Sequence, residues 1–256
     1  MDVSPDDPAA RRDWLERWAA EQRRTLSRPR LSRASLARTR VRRRLAFARG
    51  TLSQRVALGS SRWLTRVLDR GLDTSGDTHE PEHDHPDRIS YVPSDWHVVP
   101  RALRYLGVSD RDTFVDFGCG KGRVVHQAAT RPFRRVIGVE ISPRLAEIAR
   151  TAVAAGRHHH RCRNVEIVVA DAREFPVPDD LTIAYLAHPF KDETFAAVLR
   201  GIVDSIDRHP RRLRLIYWVP VHGPEVLATG RFRLLKAQQS GLLDRHGYRT
   251  EIFESL

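Results

Sequence analysis

The sequence predicts an α/β fold: a seven-stranded, mostly parallel sheet preceded by a basic helical N-terminal extension. Three observations predict it. From Tyr91 onward, short β-type runs alternate with helix-compatible runs. The first such pair is joined by closely spaced glycines, in the stretch TFVDFGCGKGR from Thr113 to Arg123. Charge is also lopsided, since residues 1–70 hold 18 arginines, no lysine and seven acids, a net +11 of the formal +12. The chain therefore reads as an extension over residues 1–70, a linker over 71–90 and a near-neutral domain over 91–256.

The 256 residues suffice for one α/β domain plus an extension. No apolar run approaches the ~18 residues of a membrane span. The first residues, with Asp2, Pro5, Asp6, Asp7 and Pro8, lack the basic-then-apolar opening of a signal peptide. Cys119 and Cys162 make no disulfide framework, which fits a reducing cytoplasm, the location expected here.

In the extension, residues 9–24 place Trp14, Leu15 and Trp18 on one helical face. Residues 28–44 carry eight arginines and no acid, with a thin apolar stripe through Leu31, Leu36 and Val41. Contact with nucleic acid or another polyanion is one reading of that segment. A solvated arm is the plainer one, because the whole chain prefers arginine and has only Lys121, Lys191 and Lys236 as lysines. A third helical patch runs from Ser60 to Arg70. The linker gathers His79, His83 and His85 among acids, and His158, His159 and His160 form a second histidine run. Neither brings a cysteine at zinc-site spacing, so solvated loop is the better reading and no metal is expected.

The domain opens with Tyr91-Val92-Pro93-Ser94-Asp95-Trp96 and a helix to Leu106, with Ser94 as its expected N-cap. Strand one is Thr113–Asp116, followed by a helix from about Gly122 to Thr130. Strand two is Arg135–Glu140. Ser142-Pro143 caps and starts the next helix, to about Ala155, with proline where its missing N–H costs nothing. Strand three is Val165–Ala170 and strand four Leu181–Leu186. A helix covers about Asp192–Asp207, strand five Leu213–Val219 and a short helix Pro224–Ala228. Two last β-type runs, Arg231–Ala237 and Tyr248–Phe253, are expected to pair antiparallel through a glycine-containing turn. Five alternating units and this terminal pair give the seven strands of a Rossmann-like sheet.

Glycines 118, 120 and 122 let the backbone approach a ligand that a Cβ would push away, and the following helix aims free N–H groups at it. The spacing G-x-G-x-G differs from the dinucleotide fingerprint, and Asp116 would repel a pyrophosphate. A phosphate-binding P-loop fails too, because Lys121 is followed by Gly122. An NAD-type oxidoreductase is disfavoured on the same spacing. A ligand carrying an ammonium and a sulfonium suits the acid. Strand ends add further groups: Glu140 lies about 24 residues after Asp116, where a carboxylate can accept ribose hydroxyls. Asp171 follows strand three, within reach of an adenine amine, and His188-Pro189-Phe190 follows strand four.

These strings, YVPSDW, FVDFGCGKGR, VIGVEISP and NVEIVVADAREF, resemble class I S-adenosylmethionine methyltransferases over residues 91–256. They are similar to a bacterial subgroup distantly related to Dot1-like and other protein lysine methyltransferases, and GLDTSG at Gly71–Gly76 resembles that subgroup's lead-in. The resemblance implies S-adenosylmethionine as cofactor. It implies that Asp116, Gly118, Cys119 and Gly120 hold the methionine part, Glu140 the ribose, and Ile141, Asp171 and Ala172 the adenine. Tyr91 and Ser94 would close over the methionine end. The chain departs from the family at strand four. Amino methyltransferases place Asn or Asp, then Pro-Pro and an aromatic there; this chain has His188-Pro189-Phe190, which leaves the acceptor open.

The expected chemistry is direct methyl transfer, with His188 as proton acceptor near pH 7 and Phe190 as a wall of the acceptor pocket. A loop role for His188 stands beside that. A protein side chain is the expected acceptor, ahead of nucleic acid or a small molecule. The competing class is a nucleic-acid-associated protein that binds S-adenosylmethionine with little or no turnover.

Overall fold

The computed structural model describes residues 72–75, 78–84, 87–239 and 248–256. The helices expected within 1–70, His85 and the turn before Tyr248 lie outside the described residues. Residues 71–256 form one compact unit.

Seven strands form one sheet in the order β3-β2-β1-β4-β5-β7-β6. They are β1 (Thr113–Phe117), β2 (Arg135–Glu140), β3 (Val165–Val169), β4 (Leu181–Leu186), β5 (Arg214–Trp218), β6 (Phe232–Gln239) and β7 (Arg249–Ser255). The first five run parallel, and β7 is antiparallel to both β5 and β6. This is the seven-stranded, mostly parallel Rossmann-like sheet expected from the sequence.

Helices cover both faces. They are α1 (Val98–Leu106), α2 (Arg123–Ala129), α3 (Pro143–Ala155), α4 (Asp192–Arg208) and α5 (Gly223–Ala228). Successive residues of a strand point to opposite faces, so each strand feeds two cores. Phe114, Val136, Ile183 and Ile216 pack with α1, α2 and α3. Val115, Ile137, Ala184 and Leu215 pack with α4 and α5. Strands buried on both faces explain the unbroken apolar runs of the sequence.

Two local readings change. Ser142 does cap its helix, accepting from the Leu145 N–H. Ser94 caps nothing: α1 begins only at Val98, with His97 before it. The Ser94 hydroxyl instead receives the phenol of Tyr185 at 2.9 Å and its carbonyl receives Arg123 at 3.0 Å. The described part of 72–90, expected as a linker, packs onto the domain, with Leu72 and Thr74 buried.

No described helix is long and apolar enough to cross a membrane.

Candidate active site

At the β1/β4 switch in winding, the strand ends open a cleft, where parallel sheets bind their ligands. All twelve residues singled out from the sequence line it: Tyr91, Ser94, Asp116, Gly118, Cys119, Gly120, Glu140, Ile141, Asp171, Ala172, His188 and Phe190.

The floor is the turn after β1. The N–H groups of Gly118 and Cys119 both donate to the carbonyl of Val139, which ties the turn to the end of β2. Gly120 has φ +53°, and a Cβ there would lie 2.0 Å from the Tyr91 ring. Only glycine allows both this backbone and that contact.

Glu140 is buried and pins the turn. Its carboxylate accepts the Gly120 N–H at 2.7 Å and the Ser142 N–H at 3.0 Å. Burial pushes its pKa up, with the two N–H groups partly opposing. Asp116, 2% exposed, is pushed well up by burial and then by the charge of Glu140. Two carboxylates thus share one low-dielectric cleft, a costly arrangement without a cation.

The roof is residues 87–91. Arg88 bridges to Phe190 as an isolated antiparallel pair, and the Lys191 N–H donates to the Asp87 carbonyl at 2.8 Å. The Tyr91 hydroxyl donates to the Thr74 carbonyl at 2.7 Å. Two cations from the glycine stretch clamp this roof. Lys121 donates to the Ser75 carbonyl at 2.9 Å. Arg123 is buried, donates to Thr74, Ser75 and Ser94, and stacks 4.9 Å from the Trp96 ring. Sequence reasoning missed Arg88, Lys121 and Arg123. The KGR at the end of the glycine stretch was a signal, two cations beside a turn, to which no role was given.

The Asp171 carboxylate is held by Arg88 at 2.8 Å and by Arg173 at 2.6 Å. Burial opposes its charge, but the hydrogen bonds and charge of Arg173 outweigh it and keep the pKa low. Held by two guanidinium groups and the Arg173 N–H, the Asp171 carboxylate braces the roof.

His188 stands at φ +51°, rare for a non-glycine residue, and its Nδ1 lies 3.3 Å from the Tyr217 hydroxyl. Burial, then His222 and Lys191, push its pKa down to about 3. It is neutral at pH 7.

The histidine clusters go elsewhere. His79 bonds Ser90 and Asp84, and His160 bonds the buried His126 at 3.0 Å. Among the described residues no three histidine, cysteine or acidic side chains gather as metal ligands.

Residues 114–208 match the model of the family described as "Methyltransferase domain". That segment is similar to a methyltransferase domain. Its match runs from β1 through α4 and so contains the glycine turn, Glu140, Asp171 and His188. S-adenosylmethionine is the cofactor of such a domain, and the cleft fits it: a close-approach floor of glycines and two buried carboxylates that call for a cationic ligand. No curated protein matches the chain. Among solved structures it is similar to an RNA methyltransferase from Salinibacter ruber in complex with S-adenosyl-L-homocysteine. Identity is 21%, over 64% of this chain and 94% of that one, with a TM-score of 0.45. It is similar to a putative methyltransferase, yhhF, from Escherichia coli at 12% identity, over 63% and 87% of the two chains, TM-score 0.49. A TehB-like SAM-dependent methyltransferase from Corynebacterium glutamicum matches at 15% identity, over 62% and 87%, TM-score 0.45.

Proposed function

We propose that this chain transfers the methyl group of S-adenosylmethionine to a protein side chain. One observation carries the reading: Asp116 and Glu140 are buried together in a glycine-floored cleft, each with its pKa raised. A ligand bearing a sulfonium and an ammonium relieves that burden; a phosphate ligand worsens it.

In this reading Asp116 and the backbone of Gly118, Cys119 and Gly120 hold the methionine end. Glu140 has lone pairs left after its two N–H bonds and takes the ribose hydroxyls. Ile141 and Ala172 flank the adenine, with Asp171 holding Arg88 in place above it. Tyr91 and Ser94 close the methionine end, and Phe190 walls the acceptor side. When bound, S-adenosylmethionine supplies a methyl group on a good leaving group, so no covalent nucleophile is required of the protein. The residues of the cleft orient the acceptor and exclude water. Preference for a protein acceptor rests on the motif resemblance to the bacterial group near Dot1-like lysine methyltransferases, and on the absence of the Asn/Asp-Pro-Pro-aromatic string of base amino methylation.

The test is to incubate the chain with methyl-labelled S-adenosylmethionine and whole-cell lysate, then fractionate the label. The proposal expects label in protein, lost in Asp116→Asn. Label in RNA or DNA contradicts the acceptor class. Cofactor binding with no labelled product favours the second reading, a nucleic-acid-associated protein with little turnover, which the eight arginines of residues 28–44 support.

A further inference from the structure

The ends of β4 and β5 and the start of α5 hold a group of side chains that the cofactor does not require. They are His188, Tyr217 and His222, with Glu225 at the outer end. His222 precedes α5, and its Nδ1 lies 3.2 Å from the Glu225 carboxylate, which fixes the residue. Its ring stacks on Phe195 at 4.6 Å, and Phe195 stacks on Tyr217 at 5.6 Å. Tyr217 is fully buried, so its phenol hydrogen needs a partner inside the fold. The Nδ1 of His188, at 3.3 Å, is that partner.

This order sets a tautomer. A neutral imidazole has one N–H and one lone pair. If Nδ1 accepts from Tyr217, the proton resides on Nε2. Among the described residues Nε2 has no hydrogen-bond partner, yet it is not a sealed orphan atom, and His188 lines the cleft beside Pro189 and Phe190. The left-handed backbone at residue 188, against the neighbouring Val219 at φ +55°, shows two strand ends bent away from preferred conformations at this spot.

We propose that His188 is a specificity-determining residue of the acceptor site, locked by Tyr217 as the Nε2–H tautomer, and that it donates a hydrogen bond to an acceptor group bearing a lone pair. The proposal rests on the methyl-transfer reading. It inverts the family's arrangement, where an amide or acid accepts from a target amine. It selects a carbonyl, carboxylate or hydroxyl oxygen, or an unprotonated nitrogen, beside the methylated atom, and disfavours an ammonium. Tyr217 is a positioning residue that acts through His188.

Two measurements test it. In the full chain with ¹⁵N-labelled histidine, long-range ¹H–¹⁵N spectra report the tautomer, with the His188 signal assigned by its loss in His188→Asn. The proposal expects Nε2–H at neutral pH, and loss of the single tautomer in Tyr217→Phe; an Nδ1–H tautomer overturns it. Next, His188→Asn and His188→Asp are compared in the lysate-labelling assay. Both residues tolerate a left-handed backbone, but asparagine can donate and ionised aspartate can only accept. Labelling should survive in the Asn variant and fall at least tenfold in the Asp variant, with binding of S-adenosylhomocysteine measured alongside to show intact folds. Labelling retained with Asp and lost with Asn overturns the proposal. Failure of the unsubstituted chain to label anything overturns the methyl-transfer reading instead, and the tautomer then judges the lock on its own.

Discussion

At Glu140 the carboxylate binds two backbone N–H groups before any ligand arrives. Glu140→Ala strands both donors in a buried place, at roughly 1–3 kcal/mol each. It should lower the thermal midpoint as well as weaken S-adenosylmethionine by about tenfold or more. Glu140→Gln keeps one acceptor oxygen and should lose less stability than Ala. Calorimetry and thermal melts of the two variants check this; unchanged affinity in both would remove Glu140 from the ribose. At this scale the sequence was legible where an acid ends a strand, because strand ends meet in one place whatever the loops do. Asp116 and Glu140 were found that way. The part of His188 was not legible. Its pKa depends on burial and on His222, 34 positions away in the chain and near it only in the fold.

Among elements, β2 and β4 run over the very residues their apolar runs marked, and the other strand bounds move by one or two positions. Unbroken apolar runs between glycine and proline breaks suffice for that. The roof was not legible. Its bonds join Lys121 and Arg123 to carbonyls and hydroxyls 46 to 49 positions earlier, a closure that leaves no local pattern. The contact of Tyr91 on Gly120 belongs here too. Gly120→Ala would place a Cβ at 2.0 Å from the ring at a backbone angle that side chains avoid. Tyr91 must then swing away and the roof over Thr74 loosen. The expected outcome is faster hydrogen exchange over residues 87–96 and a weaker hold on S-adenosylmethionine, with the sheet still protected. Unchanged exchange there would mean that the roof does not depend on this contact.

Across the whole molecule, buried ionisable groups set opposing pH trends. His188 and His160 have pKa values pushed down by burial and by neighbouring cationic or imidazole groups, while an unfolded histidine titrates near 6.5. The unfolded chain binds more protons below about pH 6.5, so the stability they contribute is full above that and falls as pH drops through the lowered values. Asp116 and Glu140 have raised values. Their contribution is full below about pH 4 and is lost as pH rises through those raised values. The ligand-free protein should therefore be most stable between these limits. S-adenosylmethionine should raise the thermal midpoint more at pH 8 than at pH 5, because it favours the ionised pair; a pH-independent rise would contradict that coupling. The arginine-rich extension, legible as a charge block, adds a separate expectation about salt-dependent partners that the cleft does not address. The central claim is that the cleft is an S-adenosylmethionine site built around a buried acid that destabilises the empty protein. The direct measurement is a pair of thermal melts and calorimetric titrations on the unsubstituted chain and Asp116→Asn. The account predicts a higher midpoint for ligand-free Asp116→Asn and at least a tenfold loss of S-adenosylmethionine affinity. A variant that melts lower when empty, or binds the cofactor as well as the unsubstituted chain, would contradict it.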